Sequence, residues 1–140
     1  MASIRAFLDT SGFYALLVKE DKAHDFAANW MQEISSQRPL LATTDLVLSE
    51  TTTLLKARGY SQLLKVYFDF LASTQALQVR WLDRSLFSET QTFFLPHDDH
   101  GYSFADCASF VVMRKLGLTD ALTTDKHFRE AGFVPILPTE

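Results

Sequence analysis

Short apolar runs alternate along the chain with longer stretches in which apolar residues recur every three or four positions. The short runs are typical of buried strands, and the longer pattern is typical of amphipathic helices. The five glycines and four prolines mostly stand between these segments and mark their ends. Strands are predicted at residues 4–8, 40–43, 77–81, 120–123 and 134–137. Helices are predicted at residues 11–18, 22–34, 45–58, 61–73, 84–94, 103–116 and 126–130.

This alternation of strands and helices predicts the α/β fold class. Strands separated by helices of this length are joined by right-handed crossovers and pair in parallel. We expect one domain over residues 1–140, a three-layer α/β/α structure with a mainly parallel sheet of four or five strands. The helix at residues 103–116 is apolar nearly all round and should be central. Four phenylalanines are expected in the core: Phe7, Phe26, Phe110 and Phe133.

Two acidic residues come directly after predicted strands, where sites form in parallel sheets. Asp9 follows the first strand, and Asp125 follows the fourth strand and Thr124. Each residue also has an ordinary interpretation as the N-cap of the next helix, because aspartate accepts hydrogen bonds from the free backbone N–H groups there. For either residue taken alone, both interpretations stay open.

Two further acidic residues lie on apolar helices. Glu50 shares a helical stripe with Val47 and Leu54, so its carboxylate is expected to face the core. That placement costs several kcal/mol unless the group is paired, protonated or bound to a metal. The alternative places Glu50 at the edge of the stripe, in water. Asp106 opens the buried helix three residues after Ser103, a spacing that also fits a capping box.

The charge balance bears on what these acids do. The net charge of -4, from 13 basic and 17 acidic residues, argues against binding nucleic acid by bulk electrostatics. Adjacent strands would, however, bring the four acids into one cleft, where carboxylates about 4–5 Å apart repel by about 3–4 kcal/mol per pair. Oxygen ligands of this kind suit Mg²⁺ or Mn²⁺, ions that activate water against a phosphodiester. The other 13 acidic residues then equal the 13 basic ones in number.

Four stretches make the chain similar to PIN-domain proteins: FLDTSGFYALL, LSETTTLL, YSFADCASFVVM and ALTTDKHFREAGF. They occur in order and span nearly the whole chain. The resemblance implies a parallel sheet flanked by helices, an acidic pocket that holds Mg²⁺ or Mn²⁺, and metal-dependent cleavage of RNA. Members of this length resemble VapC-like toxins, so a small antitoxin protein and a homodimer are implied as well.

The resemblance also implies roles for individual residues. The acidic quartet of the family corresponds to Asp9, Glu50, Asp106 and Asp125. Asp9 and Asp106 would contact the metal most directly, whereas Glu50 and Asp125 would act through water or orient the attacking hydroxide. Three hydroxyl residues would hold the hydrogen bonds of the pocket: Thr10, Ser103 and Thr124.

Other functions share parts of this pattern. A PIN-type RNA-processing nuclease that is not a toxin, and a non-catalytic RNA- or partner-binding module of the same fold, both stay open. Haloacid-dehalogenase phosphatases and receiver domains also place an aspartate after the first strand, but their further acids and lysine have no counterpart here. The lone Cys107 excludes a disulfide scaffold. No apolar stretch reaches the roughly 18 residues that span a membrane, and no cleavable signal is seen, so a cytoplasmic protein is expected.

Several polar side chains near these motifs have ordinary interpretations. Residues 97–100 are expected to form a polar loop from which Asp99 supports the site, and His127 is expected to pack beside Phe128 rather than bind metal. Tyr60 and Tyr102 would stack on bases if they are exposed. Four basic residues are expected on the solvated surface, with RNA phosphates as the alternative contact: Arg84, Arg114, Lys126 and Arg129.

Overall fold

The structure is a computed structural model that describes residues 5–138. Within them, five strands form one parallel sheet that seven helices flank. The strands are β1 (Arg5–Leu8), β2 (Leu40–Thr44), β3 (Leu77–Arg80), β4 (Asp120–Leu122) and β5 (Val134–Pro135). The helices are α1 (Thr10–Leu17), α2 (His24–Ser35), α3 (Asp45–Ala57), α4 (Leu64–Ser73), α5 (Arg84–Phe94), α6 (Phe104–Leu116) and α7 (Lys126–Glu130). Two short 3-10 segments are Ser61–Leu63 and Leu95–His97.

The strand order is β3-β2-β1-β4-β5, and all neighbouring strands are parallel. The chain builds the sheet outward from β1 to β3 and then returns to place β4 on the other side of β1. The order therefore switches between β1 and β4. In open α/β sheets, ligands bind in the crevice at the carboxyl ends of the strands on either side of such a switch. The predicted α/β fold class with a parallel sheet is confirmed.

The helix predicted over residues 61–73 is wrong at its start. Gly59 takes a left-handed conformation (φ 84°), and the N–H of Leu63 then donates to the carbonyl of Tyr60 over 2.9 Å. This tight turn forms the first 3-10 segment, and the α-helix begins only at Leu64. Apart from the last strand, the other predicted segments agree closely with the observed ones, although residue 4 lies outside the described residues.

β5 is shorter than predicted and ends at Pro135 instead of residue 137. The N–H groups of Val134 and Ile136 donate to the carbonyls of Thr119 and Ala121, which belong to the β4 side. The nitrogen of Pro135 therefore faces the open edge of the sheet, where its missing N–H leaves no hydrogen bond unmade.

The core lies on both faces of β1 and around α6, whose residues from Cys107 to Met113 are all buried. Phe7, Phe110 and Phe133 are buried as predicted. Phe26 is half exposed, which corrects the prediction: α2 packs mainly on α1, so only a narrow stripe of it is covered. No helix within residues 5–138 is long and apolar enough to cross a bilayer.

Gly12 sets how closely α1 approaches the sheet. A β-carbon on Gly12 would lie 2.1 Å from the carbonyl oxygen of Leu122, far inside any permitted contact. The glycine therefore allows the first turn of α1 to lie directly on the end of β4, and the N–H of Asp9 donates to that same carbonyl over 3.3 Å. This contact fixes the end of β1 against the end of β4.

Candidate active site

Asp9 is a buried carboxylate at the end of β1. It occupies the N-cap position of α1, but its side chain makes no capping hydrogen bond, so capping does not explain the residue. Its Oδ2 instead accepts a hydrogen bond from Thr123 Oγ1 over 2.8 Å. Burial raises the pKa of the Asp9 carboxyl from 3.8 to about 7, and the Asp106 and Asp125 carboxylates add to the rise, while the Thr123 hydrogen bond opposes it.

Glu50, on α3, is linked to the site by a hydrogen bond with Thr10. The hydroxyl of Thr10, the first residue of α1, donates to Glu50 Oε1 over 2.8 Å. Glu50 itself is exposed, so the expectation that it faces the core between Val47 and Leu54 is wrong. Its carboxylate is in water, as the alternative interpretation expects, and the hydrogen bond ties it to Thr10, the residue that follows Asp9.

Asp106 makes the capping box that its spacing allows. Its backbone N–H donates to Ser103 Oγ, and its Oδ2 accepts from the backbone N–H of Ser103, both over 3.0 Å. Burial raises the pKa of Asp106, the hydrogen bond from Ser103 opposes the rise, and the carboxylates of Asp125 and Glu50 add to it. Asp106 therefore stabilises the start of α6 and at the same time presents its charge to the other acids.

Asp125, in the loop after β4, and His127, in the first turn of α7, complete the cluster. Asp125 Oδ1 caps α7 by accepting from the backbone N–H of His127 over 2.9 Å. The ring Nδ1 of His127 lies 3.3 Å from Asp125 Oδ1 and 3.5 Å from Asp106 Oδ2. These three side chains offer ligand atoms that all lie within 4.8 Å of one another. Among the residues that the structure describes, the buried Nδ1 atom has no hydrogen-bond partner.

The structure shows how the ring of His127 is oriented, and the prediction that this residue does not bind metal stays a prediction. Its ring packs edge-on against Tyr102, with 5.5 Å between ring centroids, and Nδ1 turns to the acids. Gly101 leaves room for the ring, because a β-carbon there would lie 3.0 Å from His127 Nε2. One signal was available in the sequence: an N-cap aspartate holds the backbone N–H two residues later, which brings His127 beside Asp125.

A hydroxyl network ties the ends of β1 and β4 together. Thr123 Oγ1 donates to Asp9 and accepts from the backbone N–H of Asp125 over 3.0 Å. Ser11 Oγ lies 3.0 Å from Thr123 Oγ1 and accepts from the backbone N–H of Thr124 over 2.9 Å. The hydroxyl beside Asp9 is therefore that of Thr123, and Thr124 contributes its backbone N–H where a hydroxyl was expected.

Two histidines within residues 97–100 stack on aromatic rings, so this segment is not the plain polar loop that was expected. His97 stacks on Phe93 and His100 stacks on Tyr102, each with an interplanar angle of 13°. The Asp99 carboxylate lies 3.8 Å from His100 Nε2. Tyr102 is buried by these contacts, so the expectation that it is free to stack on bases is wrong. The four basic residues named above are exposed, as expected for a solvated surface: Arg84, Arg114, Lys126 and Arg129.

The donor set fits a hard divalent cation. Asp106 and Asp125 lie with His127 in one group of ligand atoms at the switch in strand order, whereas Asp9 and Glu50 lie outside that group and interact with it electrostatically. The repulsion among these carboxylates adds to the raised pKa values of Asp9 and Asp106, and a cation would relieve it. Carboxylate oxygens are the ligands that Mg²⁺ and Mn²⁺ prefer, and a single imidazole is compatible with Mn²⁺.

Comparisons with known proteins agree with this geometry. A family model described as the PIN domain matches residues 6–134. The protein named 23S rRNA-specific endonuclease VapC20, from two strains of Mycobacterium tuberculosis, is 35% identical over 133 residues, which cover 94% of this chain and 98% of the relative.

Solved structures show the same fold. The crystal structure of Mycobacterium tuberculosis VapC20, described as a sarcin-ricin loop cleaving toxin, has a TM-score of 0.81 at 32% identity and covers 95% of this chain and 99% of its own. PAE2754 from Pyrobaculum aerophilum has a TM-score of 0.65 at 19% identity and covers 96% and 92%. VapBC2 from Rickettsia felis, bound to a DNA fragment from its promoter, has a TM-score of 0.65 at 12% identity and covers 94% and 96%. The last two similarities bear on the fold alone.

Proposed function

The chain belongs to the PIN-domain family, and from that premise we propose that it is a metal-dependent endoribonuclease and the toxin of a VapC-type toxin–antitoxin pair. The observation that carries the proposal is the cluster of Asp106, Asp125 and His127 at the switch in strand order, together with the buried carboxyl of Asp9, whose pKa is about 7 and is raised in part by the charges of that cluster. A buried acid with so perturbed a pKa, beside other acids in a crevice, is typical of a functional site.

The proposed metal site is built from the acidic quartet. Asp9 and Asp106 would contact Mg²⁺ or Mn²⁺ most directly, and Glu50 and Asp125 would hold water or orient the attacking hydroxide. Such an ion supplies charge neutralisation at the scissile phosphate and a lower pKa for the attacking water. His127 Nδ1, which faces Asp106 and Asp125, extends the donor set.

The chain's own residues hold this geometry. Thr123 fixes one oxygen of Asp9, Thr10 directs Glu50, and Ser103 fixes one oxygen of Asp106 through its backbone N–H. Thr124 supports the network through Ser11. Because each acid is positioned by a neighbour before substrate arrives, little reorganisation is needed at the moment of reaction.

We propose 23S rRNA as the substrate, on the ground of 35% identity over 94% of the chain to an enzyme named for that activity. A small antitoxin and a homodimer are proposed as partners, and the ribosomal substrate would place the protein in the cytoplasm. The whole chain, residues 1–140, would act as a single domain.

Cleavage of ribosomal RNA tests the proposal. Purified protein is incubated with ribosomes and Mg²⁺ or Mn²⁺, and the RNA ends are mapped by sequencing. The wild type is expected to cut 23S rRNA at one or a few positions, to stop in EDTA, and to lose activity as Asp9→Asn or Asp106→Asn. Asp69→Asn, an exposed acid on α4, is the matched control and should cut normally. Undiminished cleavage in EDTA would refute the mechanism, and specific cleavage of another RNA would refute the substrate.

A further inference from the structure

A cleft of about 570 Å³ opens beside the acidic cluster. We call it the side cleft; it lies between α1, the segment before α2, the end of α3 and the loop after β4. Its volume is within the range of about 300–1,000 Å³ that is typical of ligand pockets. None of the four acids lines it, so its chemistry differs from that of the metal site.

The side cleft and the acidic cluster share a wall. Ser11 and Thr124 line the cleft, and the backbone N–H of Thr124 donates to Ser11 Oγ. Ser11 Oγ lies 3.0 Å from Thr123 Oγ1, which in turn lies 2.8 Å from Asp9 Oδ2. The cleft is thus two hydrogen bonds away from the carboxylate at the centre of the proposed site. An RNA chain with its scissile phosphate at the acids could therefore extend along this shared wall into the cleft.

Arg58 supplies an anion-binding group in the side cleft. It follows α3 directly, is exposed, and holds its guanidinium carbon 4.9 Å from the ring centroid of Tyr14. Tyr14 is itself fixed, because it is buried and packs edge-on against Tyr60. Stacking on a fixed ring restrains the planar guanidinium, whose donors match a phosphate in a bidentate arrangement.

The charges around the side cleft are compatible with a phosphate. Lys22 and Asp21 also line it, and Arg58 is the cation on which the phosphate contact depends. One oxygen of the Asp21 carboxylate accepts the backbone N–H of Ala23 over 3.1 Å, in the turn before α2. Leu54 adds an apolar surface for a sugar or base.

We infer that the side cleft is a nucleotide subsite, in which Arg58 binds a phosphate of the RNA chain beyond the scissile one. The inference rests on the proposed ribonuclease function and adds to it a residue that positions the substrate without touching the reacting atoms. Phosphate contacts of this kind fix the register of the nucleic acid, and they are independent of sequence.

Binding of a short fluorescent single-stranded RNA tests the inference. Anisotropy is measured at several salt concentrations in the Asp106→Asn background, with and without Arg58→Ala. The Kd is expected to rise about tenfold on loss of a charge-assisted contact. The slope of log affinity against log salt is expected to become shallower by about 0.7, the value for one phosphate of a single strand. Arg58→Lys, which keeps the charge but not the planar fork, should restore the slope and only part of the affinity.

Lys56→Ala is the matched control, because Lys56 is an exposed cation on α3 that does not line the side cleft. Equal affinity and equal salt slope for the Arg58→Ala and Lys56→Ala proteins, including an absence of binding by both, would overturn the inference. In ribosome cleavage, Arg58→Ala should raise KM more than it lowers kcat, and the reverse would also overturn it. A wild type that binds RNA through Arg58 but cleaves none would count against the proposed function alone.

Discussion

Asp9 carries a carboxylate where the surrounding chain buries apolar side chains. Between about pH 4 and pH 7 the folded protein binds more protons than the unfolded chain, because the Asp9 pKa is raised from 3.8 to about 7 by folding. The stabilisation by protonated Asp9 is complete below 3.8, the pKa in the unfolded chain. It is lost as the pH rises through about 7, the pKa in the folded protein. Asp9 therefore makes the metal-free protein less stable as the pH rises from 4 to 7.

In EDTA, we expect the free energy of unfolding to be larger at about pH 5 than at about pH 8 by about 2–3 kcal/mol from Asp9 alone. Asp9→Asn should remove most of this difference and stabilise the protein at the higher pH, whereas Asp69→Asn should keep it. Urea unfolding curves at the two pH values make the measurement. An Asp9→Asn protein with the wild-type pH dependence would show that Asp9 is not the buried acid described here.

His127 makes its own prediction about metal binding. His127→Phe keeps a ring against Tyr102 but removes the nitrogen that faces Asp106 and Asp125. We expect the fold to persist and the affinity for Mn²⁺, measured by calorimetry, to fall about tenfold or more, as it does when residues that support a metal site are replaced. His100→Phe is the control, because His100 stacks on the same tyrosine but is not in the group of ligand atoms with Asp106 and Asp125, and it should bind Mn²⁺ normally. An unchanged affinity in His127→Phe would make the histidine a packing residue only.

The sequence predicts the four acids better than it predicts their supporting residues. Asp9 and Asp125 stand out because they follow apolar runs, and Asp106 because it opens an apolar helix. Thr123 and Ser11 give no such signal, since a threonine at the end of a strand and a serine at the start of a helix are both ordinary. Their role depends on how closely β1 and β4 approach, which only the folded chain determines.

At the scale of the elements, the contact of α1 with β4 aligns the site. Gly12→Ala would place a β-carbon against the Leu122 carbonyl, so α1 would have to move away from the strand. We expect a loss of about 1–3 kcal/mol in the free energy of unfolding, as for other overpacked positions. RNA cleavage should fall further than stability explains, because Asp9 and Thr10 move with α1.

Gly59→Ala provides the comparison for this variant. A β-carbon there meets nothing within 4 Å, and only its positive φ of 84° opposes the change. A stability loss similar to that of Gly12→Ala, but with RNA cleavage intact, is therefore expected. If both variants cleave equally well, the α1–β4 contact does not align the acids.

Element boundaries show where sequence reasoning ends. Periodicity located all five strands, but it placed Phe26 in the core because it cannot show how many neighbours α2 has. The same periodicity places Glu50 on the apolar face of α3. In the structure α3 contacts α1, but Glu50 remains exposed. In both cases the pattern indicates which face of the helix is apolar. It does not indicate how much of that face a neighbouring helix covers.

At the scale of the whole molecule, the alternating order of strands and helices was enough to predict a parallel sheet. The strand order was not predictable from it, and this order is what brings the ends of β1 and β4 together. The same arrangement explains the charge balance. With four acids in one site, 13 acidic and 13 basic residues remain on the rest of the chain, so the net charge of -4 does not exclude RNA as a substrate.

The central claim is that the four acids form one divalent-cation site, and titration of Mn²⁺ into the metal-free protein tests it most directly. Calorimetry at about pH 7.5 should show saturable binding, and the melting temperature should rise with Mn²⁺ concentration because the ion binds the native state. Asp106→Asn should lose both effects, and Asp69→Asn should keep both. Binding of equal strength in the wild type and Asp106→Asn, or no binding by either, would contradict the account.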